Sequence, residues 1–591
     1  MMVKKISSFF FSNKFFIFFF LLYNFFLVTW NYNYLPITEG WFLLAGKLIS
    51  EGKLPYIDFY AYLTPFYYWF SYFIYQLGEN LIFHARLIGQ VIFCLIFYYT
   101  YAFFRINFNS LVSSIATFFS LLVYLSSAAI ITYDFTHLIT LFSLISIVLI
   151  INSNNKFGYF FSGVFSSLVF LTKQSNGFVI FIFLAIIFIV KNRNDIKKLI
   201  YPLSGILITF LIVLYPIILN NGFKDFFLQI TLHAGNSKGG IISSLTNLFP
   251  PKSDYYSIKN IFNFLFDTFL PLLILFLAFY KIKSKDIVQK ESKLLSYSTY
   301  LIIFYFILII TFGLYLGIRF NFIDNINIFF WNKAYLWSGY YVFFLLLLSK
   351  YTRFNNYSLI FLFGLIIASA TSAGLTAVSI FLHLGFMIGI LFHFKSIFNS
   401  SFILGIILLI SIPTHSIFKK YDTGYYWWGV NAKLGSKIST DNIIIKNIQN
   451  NGFSSDLDTI NSIIQSCKKS PKNLLSFPHT TMLNLSTGLN PPGKAITYWF
   501  DFLSNEHSAK ELMLLQNTNI DIIAIIEMEK IAWEVHDNLF RKGKGLEQEK
   551  VLNYIMRIAN SEDYLKMYEN KINDRFVNIY IRKDFNCKIK D

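Results

Sequence analysis

Residues 36–69, PITEGWFLLAGKLISEGKLPYIDFYAYLTPFYYW, lie between two long apolar runs and carry two acids, Glu39 and Asp58. Thr38-Glu39-Gly40 leads into an amphipathic segment, Trp41–Glu51, whose pattern predicts a helix lying in a membrane interface. Pro55-Tyr56 and Thr64-Pro65 flank Asp58 and hold its backbone in extended or turn geometry. A lone loop acid is most often a solvated residue or a helix cap. Carboxylates presented rigidly at a membrane surface also suit a reaction centre facing a lipid-borne substrate.

Working outward, composition sets the class. The 591 residues are 55% hydrophobic and 20% aromatic, with a mean hydropathy of +0.53. A helix crossing a bilayer needs about 20 apolar residues. Runs meeting that need lie near 14–34, 80–104, 111–131, 136–152, 157–173, 176–190 and 199–219. Others lie near 261–281, 298–317, 336–349, 357–371, 375–394 and 399–414. The expected fold is a polytopic α-helical membrane protein of about thirteen spans. Lys4 and Lys5 precede the first run with no small-residue cleavage site after it, the pattern of an uncleaved signal anchor.

The net charge of +18 sits mainly in short connections, which suits anionic headgroups and topogenesis rather than nucleic acid. Lys156, the 191–198 run KNRNDIKK, the 281–285 run KIKSK, Lys350 with Arg353, and Lys395 fall in alternate loops. Placing those loops inside puts the N-terminus in the cytoplasm. The 35–79 loop, the loop near 220–260 and everything after about residue 415 then face outward.

Residues 1–415 are therefore expected to form the membrane domain, and 416–591 an extracytoplasmic α/β domain. Strand-like runs occur at Asn442–Ile445, Asn473–Phe477, Ile520–Ile526 and Phe576–Ile581, with helical patterns at Ser508–Gln516 and Gln548–Ile558. Of the three cysteines, Cys467 and Cys587 fall outside spans, so one disulfide is conceivable, and Cys94 lies within a span. His233, His383, His393 and His415 show no metal-ligand spacing, and Lys238-Gly239-Gly240 completes no phosphate loop.

Several charges fall near the expected outer face. Asp134, in ITYDFTH, opens an apolar run with His137 one turn later. An ionisable residue at membrane depth points to a functional site, and an N-cap at the water boundary is an equal reading. Lys173 ends a span on the side where lysine is disfavoured. It suits a phosphate or carboxylate partner, or snorkels to the surface. Arg319 and Lys333 share an outer loop with Asp324 and Trp331 and are candidates to neutralise a phosphate.

These residues resemble the GT-C membrane glycosyltransferases, in the bacterial branch related to protein O-mannosyltransferases and aminoarabinose transferases. The matching pieces are Glu39-Gly40-Trp41, the 52–59 stretch GKLPYIDF, and Thr64-Pro65-Phe66-Tyr67-Tyr68. TYDFTHLITL around Asp134 and GVFSSLVFLTKQSNG around Lys173 extend the likeness over about the first 180 residues. The resemblance implies a polyprenyl-phosphate-linked sugar donor, a glycan, lipid or protein acceptor, and inversion at the anomeric carbon. That family carries an Asp-Glu pair where this chain has Thr38-Glu39, which leaves the base between Glu39 and Asp58, with Glu39 favoured. Asp134, His137, Lys173, Arg319, Lys333 and Tyr56 are expected to line the substrate site. No metal or other cofactor is demanded, although two acids in one loop are compatible with a divalent ion. A lipid flippase or transporter, or a non-catalytic relative, would share the spans and charges. Paired repeats or broken spans typical of transporters are not evident.

Overall fold

The computed structural model describes residues 38–106, 113, 117, 133–192, 195–233, 453–478, 481–498, 503–526, 545, 547–572 and 575–588. Arg319, Lys333, the expected strand Asn442–Ile445 and the six expected spans between 261 and 414 lie outside the described residues.

The first described helices, α1 (Thr38–Ser50) and α2 (Pro65–Tyr75), both belong to the 35–79 loop. Thr64 is extended (φ −75°, ψ 157°), as a residue before proline prefers, and Pro65 occupies the first helical turn, where its missing N–H costs nothing. Next come α3 (Leu81–Arg105), α4 (Phe135–Asn152), α5 (Lys156–Thr172), α6 (Gln174–Lys191) and α7 (Ile200–Leu219). A short α8 (Phe223–Leu228) runs into a π turn at Gln229–His233. Among the described residues three helices are long and apolar enough to cross a membrane: Leu81–Arg105, Phe135–Asn152 and Ile196–Leu219. Lys156–Thr172 and Gln174–Ile189 match two further expected spans and are apolar but shorter.

Inside a bilayer, close van der Waals packing and interhelical hydrogen bonds hold helices together, because lipid is as apolar as leucine. The α5–α7 crossing follows that rule. A Cβ on Gly163 would collide with the Pro202 carbonyl, and one on Gly205 with the Phe160 carbonyl. Between α4 and α5, Ser146 Oγ donates to the Ser162 carbonyl at 2.8 Å, and Ser162 Oγ donates to the Ser146 carbonyl at 3.0 Å.

The helix α1 departs from expectation. It forms where the pattern predicts, but Gly40 through Leu48 are all buried, so it does not lie one-sided in an interface. Two glycines explain this. A Cβ on Gly46 would stand 2.5 Å from the Ser71 carbonyl of α2, and one on Gly40 would stand 2.5 Å from Thr481 Oγ1 on the opposite side. The helix is sandwiched, and the charge of Lys47 survives burial by pairing with Glu51 at 2.9 Å and donating to Asn490 Oδ1 at 2.5 Å.

The C-terminal residues supply the layer above. Helix α9 (Phe453–Gln465) precedes β1 (Leu474–Phe477), α10 (Thr481–Thr487), α11 (Asn505–Gln516) and β2 (Ile522–Ile526). Helix α12 (Gln548–Ala559), β3 (Tyr564–Ile572) and β4 (Arg575–Arg582) complete it. The sheet order is β1-β2-β4-β3, with β1 and β2 parallel and the other pairs antiparallel. The central strand reads IIAII and is buried throughout, as a strand covered on both faces requires. Strand β3 was not expected. Its sequence, YLKMYENKI, mixes charges into the apolar alternation because it lies at the sheet edge. A disulfide joins Cys467, just after α9, to Cys587, just after β4.

Candidate active site

Gly52 ends α1 with φ +84°, its N–H bonded to the Ile49 carbonyl. Pro55 and Phe59 then pair as an isolated bridge, and the N–H of Tyr56 donates to the Phe59 carbonyl at 2.9 Å. Asp58 closes this turn from both ends. Its own N–H donates to the Leu54 carbonyl, and its Oδ2 accepts from the Leu54 N–H at 2.7 Å. The residue is exposed. The motif acid is thus a clasp for the turn, and the local signal for it is the i to i+4 spacing across a proline.

Tyr56 sits at φ +73°, a conformation that strains a bulky residue and persists only when its surroundings fix it. They do so here: the ring is buried edge-on against Phe226 at 5.1 Å, and the hydroxyl donates to the Leu63 carbonyl at 2.5 Å. Gln229 braces the same loop, accepting from Ala61 N–H at 3.0 Å and donating to the Tyr56 carbonyl at 2.8 Å.

Of the other described sequence-derived residues, Asp134 and Lys173 lie beside Phe135. Asp134 is the N-cap of α4, its Oδ1 accepting from Thr136 N–H at 2.7 Å, so the capping reading holds. Half-buried, it keeps its second oxygen outside that bond. His137 is buried in the first turn of α4. Lys173 lies at the α5–α6 junction, only 8% exposed, with Nζ 5.1 Å above the Phe135 ring. On the other side Phe42 of α1 meets Tyr67 at 4.3 Å and Phe135 at 6.2 Å between centroids. Glu39 stands three residues before Phe42, so the two positions share a helix face. Tyr67 stacks on Tyr133 and donates to its carbonyl at 3.3 Å. Burial first, then the neighbouring Tyr133 and Asp134, raise the Tyr67 hydroxyl well above the usual tyrosine pKa and keep it a neutral donor.

The fold therefore brings Phe42 of α1 and Lys173 to Phe135, beside the N-cap Asp134, with His137 buried in the same first turn of α4, and sets Asp58 on an exposed turn. Among the described residues no three His, Cys, Asp or Glu side chains group as a metal cage.

Residues 63–219 match the family model of the dolichyl-phosphate-mannose-protein mannosyltransferases. Over this segment the chain is similar to that mannosyltransferase family, in line with the GT-C resemblance of its sequence. The matched range holds Asp134, His137 and Lys173 and begins after Glu39 and Asp58. No curated protein matches the chain by sequence. Among solved structures, the oligosaccharyltransferase of Archaeoglobus fulgidus, in complex with zinc and sulfate, is similar at 12% identity and a TM-score of 0.40. That alignment covers 85% of this chain and 66% of the other. ArnT from Cupriavidus metallidurans, bound to undecaprenyl phosphate, is similar at 12% identity and a TM-score of 0.36, covering 95% of this chain and 97% of the other.

Sequence reading missed two features of the glycosyltransferase-like segment and its cover. Arg86 is buried in the span α3, and its signal was plain: a cation inside an apolar run. The contacts of Asn490, Lys494 and His507 with the 35–79 loop left no signal, because their partners stand more than 400 residues away in the chain.

Proposed function

We propose that the chain is a membrane glycosyltransferase that moves a sugar from a polyprenyl-phosphate carrier to an acceptor hydroxyl or amine. The observation that carries this reading is the meeting of α1, through Phe42, with Lys173 at Phe135, beside the N-cap Asp134. Developing charge at both ends of a displacement needs an anion and a cation that are already in place. The family matched over 63–219 is described by a dolichyl-phosphate-linked sugar, which supports a carrier of that class.

In this reading Glu39 accepts the acceptor's proton as the acceptor oxygen or nitrogen bonds to the anomeric carbon. The bond from that carbon to the phosphate oxygen breaks in line, with inversion, and polyprenyl phosphate departs. Lys173 faces the phosphate and offsets the charge it gains, while Asp134 and the neutral Tyr67 hydroxyl order the acceptor side. The loop and the C-terminal layer lie on the outer side of the cytoplasmic membrane, a placement supported by the Cys467–Cys587 disulfide, since such bonds persist in oxidising compartments.

The test is release of free polyprenyl phosphate from a panel of polyprenyl-phosphate sugars by the purified chain in lipid nanodiscs. Turnover that Glu39→Gln and Lys173→Met each abolish, with folding intact, is the expected result. Tight carrier binding without turnover on any donor would replace the transferase with a lipid flippase or a non-catalytic relative.

A further inference from the structure

A cleft of about 440 Å³ opens between the 56–60 turn, α8 and α11. It is distinct from the Phe135 centre, and none of its polar rim is used by the mechanism above. Three segments far apart in the chain build it, and they are cross-braced. The Tyr60 N–H donates to the Lys494 carbonyl at 2.9 Å, Lys494 Nζ donates to the Ile57 carbonyl at 2.7 Å, and Gln229 ties the turn from below. A site held this firmly loses little entropy on binding.

Its chemistry is mixed in a specific way. Tyr60 and the buried His507 stack at 4.2 Å with rings 21° apart, giving a flat aromatic wall. Met513 and Leu514, both exposed on α11, add apolar surface beside it. Around this lie an acid, Asp225, an amide, Asn517, and two lysines, Lys494, whose ammonium holds the Ile57 carbonyl, and Lys510, whose ammonium pairs with Glu506 at 2.6 Å. The Asp225 carboxylate makes no side-chain hydrogen bond or ion pair among the described residues, although two cations line the same cleft. A pyranose has this complementary make-up: a C–H face for apolar and aromatic surface, and an edge of hydroxyls that each donate and accept. Pockets with an apolar body and a few placed polar groups bind such small ligands.

We infer that this cleft binds a carbohydrate unit of the acceptor at a distance from the reacting centre. The inference rests on the transferase reading, and it adds a role for the C-terminal layer: remote binding energy that helps hold the acceptor for reaction.

The experiment is saturation-transfer NMR on the full chain in nanodiscs with lactose, cellobiose, N,N′-diacetylchitobiose and a glucuronic-acid-containing disaccharide as probes. Donor hydrolysis is measured on the same samples. At least one disaccharide is expected to receive saturation, with the charged and neutral probes separating the lysines' contribution from that of Asn517. Removing one hydrogen-bonding group lowers affinity by about threefold to tenfold, so Asp225→Ala should weaken the signal by that factor. Asn517→Trp, which fills an exposed edge of the cleft, should abolish it. Donor hydrolysis should persist in both variants, and Glu39→Gln should lose hydrolysis yet keep the sugar signal. Absence of signal from every disaccharide, or equal signals in wild type and both cleft variants, overturns the inference. Loss of hydrolysis in wild type alone would instead strike the transferase reading and leave sugar binding to stand.

Discussion

The first turn of α1 and the 54–59 turn each hold one carboxylate of the same loop, and they are built on opposite plans. Around Glu39 the backbone is regular helix, and Gly40 brings it within contact of Thr481 while Phe42 faces Phe135. Around Asp58 the backbone is an exposed turn with Tyr56 at positive φ, and the acid closes that turn itself. The same loop thus carries one acid in a regular helix and one that clasps its own turn. The Asp58 carboxylate spends its hydrogen-bonding capacity on its own turn, and Glu39 is the acid to which the proposed function gives the acceptor's proton.

The sharpest way to break that comparison is to neutralise each acid without changing its shape. Glu39→Gln is expected to lower transfer by about 10²- to 10⁴-fold, the range of a lost general base. Asp58→Asn retains an oxygen for the Leu54 N–H and should stay within about threefold of wild type, because a preserved hydrogen bond is worth little net change. Turnover numbers on one donor settle it, and a reversed order would hand the base to Asp58.

Next in size are the two glycines beside these acids. Gly40→Leu has no room against Thr481 and the Met482 backbone, and should cost about 1–3 kcal/mol as overpacking. It should also raise amide exchange in α10. Gly52→Ala meets open space but must hold φ +84°, so it should cost about 1 kcal/mol and leave α10 exchange unchanged. Thermal unfolding with exchange mass spectrometry reads both. Lys47→Ala, which removes the Asn490 and Glu51 contacts, is expected to fall between the two glycine variants at about 1–2 kcal/mol in the same assay.

Much of this layout is legible in sequence. Apolar runs place α3 through α7 within a few residues, because the span of a bilayer fixes their length and composition. Asp134 and Lys173 stand out as charges bordering such runs. The loop is harder. The pattern of Trp41–Glu51 is that of an interfacial helix, and only the close approaches at Gly40 and Gly46 reveal a sandwiched one. Those contacts run to residues 25 and 441 positions further along, where no local pattern reaches. The strand β3 escaped because edge strands carry charges that dilute the alternation. The cleft escaped for the same reason as the sandwich, since Tyr60 and His507 meet only in the fold.

The two turns should also part company under pH. The link runs through Glu511, buried on α11, whose carboxylate accepts from the Lys494 N–H at 3.0 Å and the Tyr498 hydroxyl at 2.9 Å. Burial is the largest influence on it and raises its pKa above the usual carboxylate value, while the hydrogen bonds from Tyr498, Ala495 and Lys494 and the Lys494 charge pull the other way. The folded state then holds the proton more tightly than the unfolded chain. The stability this group contributes is full below the unfolded pKa and falls as pH rises through the folded one. Lys494 is the residue that grips Ile57 and Tyr60, so rising pH should loosen the seat of the Asp58 turn while the Gly40–Thr481 contact, which holds no titrating group, stays closed. Exchange at Tyr60 should climb from acid toward neutral pH faster than the intrinsic rate. Glu511→Gln, which keeps an acceptor for Lys494 but cannot ionise, should flatten that excess, and an unchanged pH profile in the variant would detach Glu511 from the docking of the turn.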